Sequence, residues 1–248
     1  MKSITKQKIF DEIKEQLDGL DKVFIVGCGT CATMTKTGGR DEVLGMKDRL
    51  QELGKMVTGW TVIPTACDEM TGVALKENNG AISSSNCILV MSCALGVHKI
   101  TSYIERPVIP ALDTLFIGLE DEPGNFREVC AQCGQCVLGQ TAGICPLTAC
   151  HKGLLNGPCG GTNKGKCEVD VTKDCAWTLI HQRLEKQGRL DLMRKYQPPK
   201  NYQATPRPRT IKIAWGGGND HGNTLQRSSQ LWQVCGDQRD WPTQRDEY

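Results

Sequence analysis

At 248 residues with 39% apolar side chains, the chain is long enough for one larger domain or two small ones. A net charge of +2 excludes the strongly basic footprint of a nucleic-acid binder or of a protein held on an anionic membrane. No apolar run approaches the roughly 18 residues of a membrane helix, and the opening MKSITKQKIFDEIKEQL carries charges throughout, unlike a signal peptide. A cytoplasmic protein with no membrane insertion and no nucleic-acid partner is expected. In such a reducing setting, 14 cysteines point to metal or redox chemistry; a disulfide scaffold would need a secreted context.

In chain order, residues 4–18 read as an amphipathic helix, with Ile9, Ile13 and Leu17 at i, i+4, i+8 and Gly19 as C-cap. Residues 22–27 (KVFIVG) are a buried strand, followed by Cys28-Gly29-Thr30-Cys31-Ala32-Thr33 and then Gly38-Gly39. A helix is expected over 41–53, with Val43, Leu50 and Leu53 on one face. A second strand over 56–63 stops at Pro64. A short helix over 68–78, capped by Gly80, leads to a third buried strand, 87–92 (CILVMS). Shorter β-like pieces follow at 108–111 and 115–119. Strands alternating with helices imply a parallel, doubly wound sheet, whose sites form beyond the carboxyl ends of the strands. Cys28 and Cys31 follow the first strand, Cys67 the second and Cys93 the third. These four thiols should therefore converge, as a [4Fe–4S] cluster or a zinc ion requires; the bland alternative is four inert core thiols. Cys87, inside the third strand, reads as a core residue.

Gly27-x-Gly29-x-x-Ala32 also matches the dinucleotide fingerprint. However, Gly38-Gly39 delays the helix, and no acidic residue closes the second strand where a ribose would need one. The glycines are better explained by close approach of backbone to a cluster.

The polar stretch 120–129 (EDEPGNFREV), with its Pro-Gly turn, reads as a boundary. Beyond it, residues 130–175 hold eight of the cysteines amid Gly, Asn, Thr and Lys. So few large apolar residues cannot offset the ordering entropy, and metal-bound thiolates would have to hold the segment. Cys130-x2-Cys133-x2-Cys136 followed by Cys145-Pro146 approximates the bacterial ferredoxin pattern, but eight residues rather than three separate Cys136 from Cys145. With Cys150, Cys159, Cys167 and Cys175 there are ligands for two four-thiolate centres: two clusters, or one cluster and one zinc. His151 is an alternative ligand. Gly157, Gly160, Gly161 and Gly165 suit backbone N–H groups aimed at sulfur. A helix after Cys175, with Asp174 as cap and Trp177, Ile180 and Leu184 on one face, precedes Pro198-Pro199 and Pro206-x-Pro208, an extended arm that is free or lies along a partner. The stretch 214–248 has no clear period and reads as disordered, with Cys235 as no ligand.

The phrases CAQCGQCVLGQTAGICPLTACHKGLLNGPCGG, KGKCEV and CAWTLIHQRL resemble the C-terminal domain associated with methylenetetrahydrofolate reductases. Upstream, IVGCGTCAT, the Cys67 region, LVMSCALGV and PALDTLFIGLE resemble the Rossmann-like half of the MetV-type small zinc and iron–sulfur subunits; together the likeness spans roughly residues 5–213. It implies a Rossmann-like α/β domain over 1–120, a small Cys-rich, loop-rich metal-binding domain over 121–196, and an arm and tail over 197–248. It implies [4Fe–4S] ligation by Cys28, Cys31, Cys67 and Cys93, metal ligation by Cys130, Cys133, Cys136, Cys145, Cys150, Cys159, Cys167 and, with least support, Cys175, and no flavin on this chain. The implied partner is a MetF-type flavoprotein reductase, with a further electron-donor subunit in some complexes, and the implied role is electron relay or scaffolding in the Wood–Ljungdahl methyl branch. A purely structural, zinc-stapled docking subunit is the alternative. An NAD-using free enzyme is a third reading, although no catalytic constellation stands out among four histidines.

Overall fold

The computed structural model describes residues 2–204 and 207–210. Two sheets organise them. The larger holds β2 (Lys22–Cys28), β3 (Met56–Ile63), β4 (Cys87–Met91) and β5 (Val108–Pro110) in the order β3-β2-β4-β5, all parallel. β2 and β4 are buried along almost their whole length, as central strands of a parallel sheet must be. The edge strands are shorter or half exposed, and Pro110 sits at the end of edge strand β5, where no ladder donor is needed.

In chain order these strands lie 2-1-3-4, the flavodoxin type of doubly wound sheet; the Rossmann-like expectation would place the third strand outside the second. The chain leaves β2 for β3 on one side and returns to β4 on the other, so the switch point lies between the carboxyl ends of β2 and β4. α3 (Arg40–Glu52) packs on β2 and β3, and α6 (Ala94–Thr101) on β5. The expected helix over 68–78 is in fact two pieces, α4 (Thr71–Glu77) and α5 (Asn79–Ser83). Gly80 lies inside the second piece, because Asn78 turns the chain by donating from its side chain to the Ala74 carbonyl.

The N-terminus departs most from its expectation. Residues 2–7 form strand β1 (Lys2–Gln7), and only Phe10–Gln16 are helical (α1). Ile13 and Leu17 are fully buried, whereas Ile9 is 73% exposed. Ser3, Ile4 and Thr5 are all buried, which no single helical face allows; pairing with β6 (Leu112–Glu122), with Ile4 opposite Phe116, overrides the helical period. The smaller antiparallel sheet runs β1-β6-β7, with β7 at Asn125–Glu128. The polar stretch 120–129 is thus mostly a hairpin turning at Gly124 (φ +81°) and not a linker.

Past Glu128 the chain is largely coil. Besides α7 (Pro146–Ala149), α8 (Ala176–Lys186) and two short 3-10 turns, it has its own small apolar cluster of Trp177, Ile180, Leu184 and Leu192. This cluster is several times smaller than the one around the parallel sheet. α8 buries the face expected of it, but its N-cap is Cys175, with no side-chain cap, and Asp174 instead pairs with Lys166. The described residues of the Pro-rich arm fold back on the chain's own cysteine loop. Asn156 and Gln197 exchange two hydrogen bonds of 2.7 and 2.8 Å, the Asn201 N–H donates to Gln135 Oε1 at 2.8 Å, Lys200 donates to the Gln135 carbonyl, and Arg209 donates to the Gln132 carbonyl at 3.3 Å. Residues 214–248, with Cys235, lie outside the described residues.

Candidate metal-thiolate sites

The first group of thiols stands at the switch point. Cys28 is the last residue of β2, Cys93 follows β4 by two residues, and Cys67 lies in the turn after β3. Cys31 opens α2 (Cys31–Met34) directly after the β2 turn. Cys28 and Cys93 are buried, Cys31 is intermediate and Cys67 is exposed, so the group opens outward on the Cys67 side. Cys67 feels the other three. Burial is the first cause pushing its thiol up, followed by the charges of Cys93, Cys28 and, more weakly, Cys31. All four cysteines stand at the carboxyl-end side of the parallel sheet, where its strands end.

Threonines brace this loop. Thr33 Oγ1 donates to the Cys28 carbonyl at 2.7 Å, and Thr35 Oγ1 donates to the Cys31 carbonyl at 3.0 Å. Thr35, Thr37 and Thr5 of β1 form a triangle of hydroxyls at 2.6–3.0 Å, which ties the smaller sheet to the loop. Thr30 Oγ1 lies 3.3 Å from Cys28 Sγ. The sequence reading passed over all of these residues; the alternation of Thr30, Thr33, Thr35 and Thr37 was the available signal. Two glycines of this region pack closely on the protein's own backbone. A Cβ on Gly27 would lie 2.6 Å from the Gly38 carbonyl oxygen, and one on Gly38 would lie 2.0 Å from that of Met91. They are small so that backbone can pack on backbone between β2 and β4, and this close packing, not phosphate binding, accounts for the fingerprint-like spacing.

A second group surrounds a cavity of about 20 Å³ lined by Cys150, Cys159, Cys167 and Cys175 together with Lys152, Glu168 and Trp177. Trp177 Nε1 donates to the Leu154 carbonyl at 2.9 Å and holds the Cys150 turn against α8. Burial would push the Cys175 thiol up, but the N–H groups of Thr178 and Trp177 at the start of α8, with the hydroxyls of Thr178 and Thr162, bring it below the usual cysteine range. Cys159 accepts from the Gly161 N–H at 3.4 Å, the backbone-to-sulfur contact expected of these glycines. Gly157, Gly160 and Gly165 instead supply positive φ at turns. Cys159 also donates to Glu168, which Lys152 pairs with and holds below the ordinary carboxylate range. His151 Nδ1 is 3.7 Å from Cys167 Sγ, with Asp170 3.9 Å from its other nitrogen.

Cys130, Cys133 and Cys136 share one loop, and Cys145 precedes α7, whose first residue is Pro146. The Gln132 N–H donates to Cys130 Sγ at 3.4 Å. Cys87 is fully buried in β4 and its thiol is pushed up to about 11, as a core residue should be. None of the 13 described cysteines is in a disulfide. As the side chains stand, no three His, Cys, Asp or Glu among the described residues form a group that could hold a metal ion; the thiols are neighbours rather than a closed ligand shell. Nor is any described helix long and apolar enough to cross a membrane.

In comparison with known proteins, residues 109–203 match the family described as Methylene-tetrahydrofolate reductase C terminal. No curated protein and no solved structure matches the chain. The matched segment runs from β5 through all eight clustered cysteines to the turn at Tyr202. Over residues 109–203, therefore, the chain is similar to the methylene-tetrahydrofolate reductase C-terminal family.

Proposed function

We propose that this chain is an accessory iron–sulfur and zinc subunit of a flavin-dependent methylenetetrahydrofolate reductase, passing electrons to a MetF-type flavoprotein. The observation that supports the reading is that Cys28, Cys31, Cys67 and Cys93 all lie just beyond the carboxyl ends of the parallel strands, on the side where doubly wound sheets bind their ligands. Four cysteines, two of them buried at strand ends, would suit a [4Fe–4S] cluster, which would supply one-electron transfer.

The chain's own residues would then do three things. The β2 and β4 ends fix two ligands rigidly, and the threonine network fixes the third. The turn after β3 brings Cys67 to the exposed side. Met34 (46% exposed), Met70 (60%), Val73 (46%) and Leu95 (53%) are exposed apolar side chains, three of them within three residues of a proposed ligand cysteine, and would supply an apolar rim. Such a rim suits a partner that must exclude water at the point of electron transfer.

For the clustered cysteines the reading has two centres. Cys150, Cys159, Cys167 and Cys175, which line one small cavity, would hold a zinc ion, with Lys152 offsetting thiolate charge. Cys130, Cys133, Cys136 and Cys145 are assigned to a second cluster. On this reading residues 121–196 form a metal-held domain apart from the α/β domain, a division that the two separate apolar clusters support. The purely structural reading, zinc alone stapling a docking surface, draws on that same small cavity.

Metal content decides between them. Anaerobically purified protein should hold about eight irons with matching sulfide and about one zinc, and Cys67→Ser should remove about half the iron. Zinc alone, with no EPR signal after dithionite, would end the electron-transfer reading and leave the structural one.

A further inference from the structure

Thr30 occupies the N-cap of α2, where a threonine hydroxyl ordinarily accepts from the first free N–H groups of the helix. Here it makes no such cap. Its Oγ1 instead lies 3.3 Å from Cys28 Sγ. The neighbouring threonines behave differently, since Thr33 and Thr35 donate to backbone carbonyls of the same loop and thereby hold its shape. Cys28 itself cannot drift from Thr30. It ends a buried strand, its N–H is bonded to the Gly38 carbonyl at 2.9 Å, and the Gly29 N–H is bonded to the Ile63 carbonyl at 2.8 Å.

We infer that the Thr30 hydroxyl is a hydrogen-bond donor to the Cys28 thiolate and sets the reduction potential of the centre held at the switch point. This rests on the reading that Cys28, Cys31, Cys67 and Cys93 hold a [4Fe–4S] cluster. The reasoning is electrostatic. A thiolate has acceptor capacity left after it binds metal, so the hydroxyl, which can serve as either donor or acceptor toward a thiol, becomes the donor toward a thiolate. One-electron reduction adds a negative charge to the centre and its sulfurs. A donor 3.3 Å from a ligand sulfur in a partly buried, low-dielectric setting stabilises the reduced form more than the oxidised one, and so raises the potential. Thr30 is thus a positioning and tuning residue, not a ligand. It would match the centre to its redox partner without touching that partner.

The test uses the full chain, purified anaerobically and titrated by EPR and visible absorption at fixed solution potentials. Thr30→Val keeps the β-branched shape and deletes the hydroxyl, and Thr30→Ser keeps the hydroxyl. Both variants should retain wild-type iron and sulfide. Thr30→Val should lower the reduced-to-oxidised ratio of one centre about tenfold, a shift of about 59 mV for one electron, and leave the other centre unchanged. Thr30→Ser should stay close to wild type. An unmoved midpoint in a cluster-replete Thr30→Val protein overturns the inference, and so does an equal shift in both variants. If Cys67→Ser loses no iron, the underlying cluster reading fails, an outcome distinct from a silent Thr30.

Discussion

If Cys150, Cys159, Cys167 and Cys175 hold zinc as proposed, removing it should unfold the C-terminal cysteine segment and leave the parallel sheet standing. The segment's own core is Trp177, Ile180, Leu184 and Leu192. At about 1.5–3 kcal/mol each, these four side chains contribute roughly 6–12 kcal/mol of burial, an upper estimate. A structural zinc site contributes about 10–16 kcal/mol, as much as that whole core or more. The loss is therefore decisive for residues 130–204 and minor for β2 and β4, which sit in a far larger apolar cluster. The assay is hydrogen exchange read by mass spectrometry on the anaerobic protein, before and after a zinc-selective chelator. Amides of α8 (Ala176–Lys186) should lose at least about a thousandfold of protection, equivalent to about 4 kcal/mol, while β2 and β4 keep theirs. If metal analysis shows the zinc gone and α8 is still protected, the argument that thiolates replace a core in this segment is wrong.

Two further expectations concern the sheet. Gly38→Ala places a Cβ 2.0 Å from the Met91 carbonyl oxygen, a backbone atom that cannot step aside, so urea unfolding should show a loss of about 3 kcal/mol; a loss under about 1 kcal/mol would mean the two backbones are not in contact. Cys87, pushed up to about 11 by burial from its ordinary 9.0, favours its neutral form when folded. Its contribution to stability is thus complete below about pH 9 and falls as pH rises toward 11, by up to about 1.4 kcal/mol per pH unit. Relative to Cys87→Ala, the wild type should lose stability between pH 8.5 and 10.5; parallel curves for the two proteins would contradict the burial of this thiol.

How much of this was legible in the sequence follows from which forces are local. The apolar runs at 22–28, 56–63 and 87–91 became strands at those positions because β-branched runs between helices have one stable use, in a buried parallel sheet. The placing of Cys28, Cys31, Cys67 and Cys93 followed from topology alone, since every strand of such a sheet ends on the same side. The face of α8 was likewise fixed by the spacing of Trp177, Ile180 and Leu184. The density and spacing of eight cysteines marked residues 130–175 without any geometry.

What stayed hidden depends on partners distant in sequence. β1 is a strand only because β6, more than 100 residues later, pairs with it, so its local period was misleading. The order 2-1-3-4 depends on which side of β2 the third strand takes, and strand composition is the same on either side. The close approach of the Gly27, Gly38 and Met91 backbones, where the sequence pointed to glycine backbone against a cluster, was visible only in three dimensions. The grouping of Cys150, Cys159, Cys167 and Cys175 around one small cavity, and the turning of the Thr30 hydroxyl toward Cys28, were likewise decided in three dimensions. Sequence alone determined where the sulfur is and which strands carry it, because hydrophobic period and residue spacing act locally. Only the tertiary structure decided which sulfurs of the Cys-rich segment line one cavity and what surrounds them, because that is set by contacts between segments far apart in the chain.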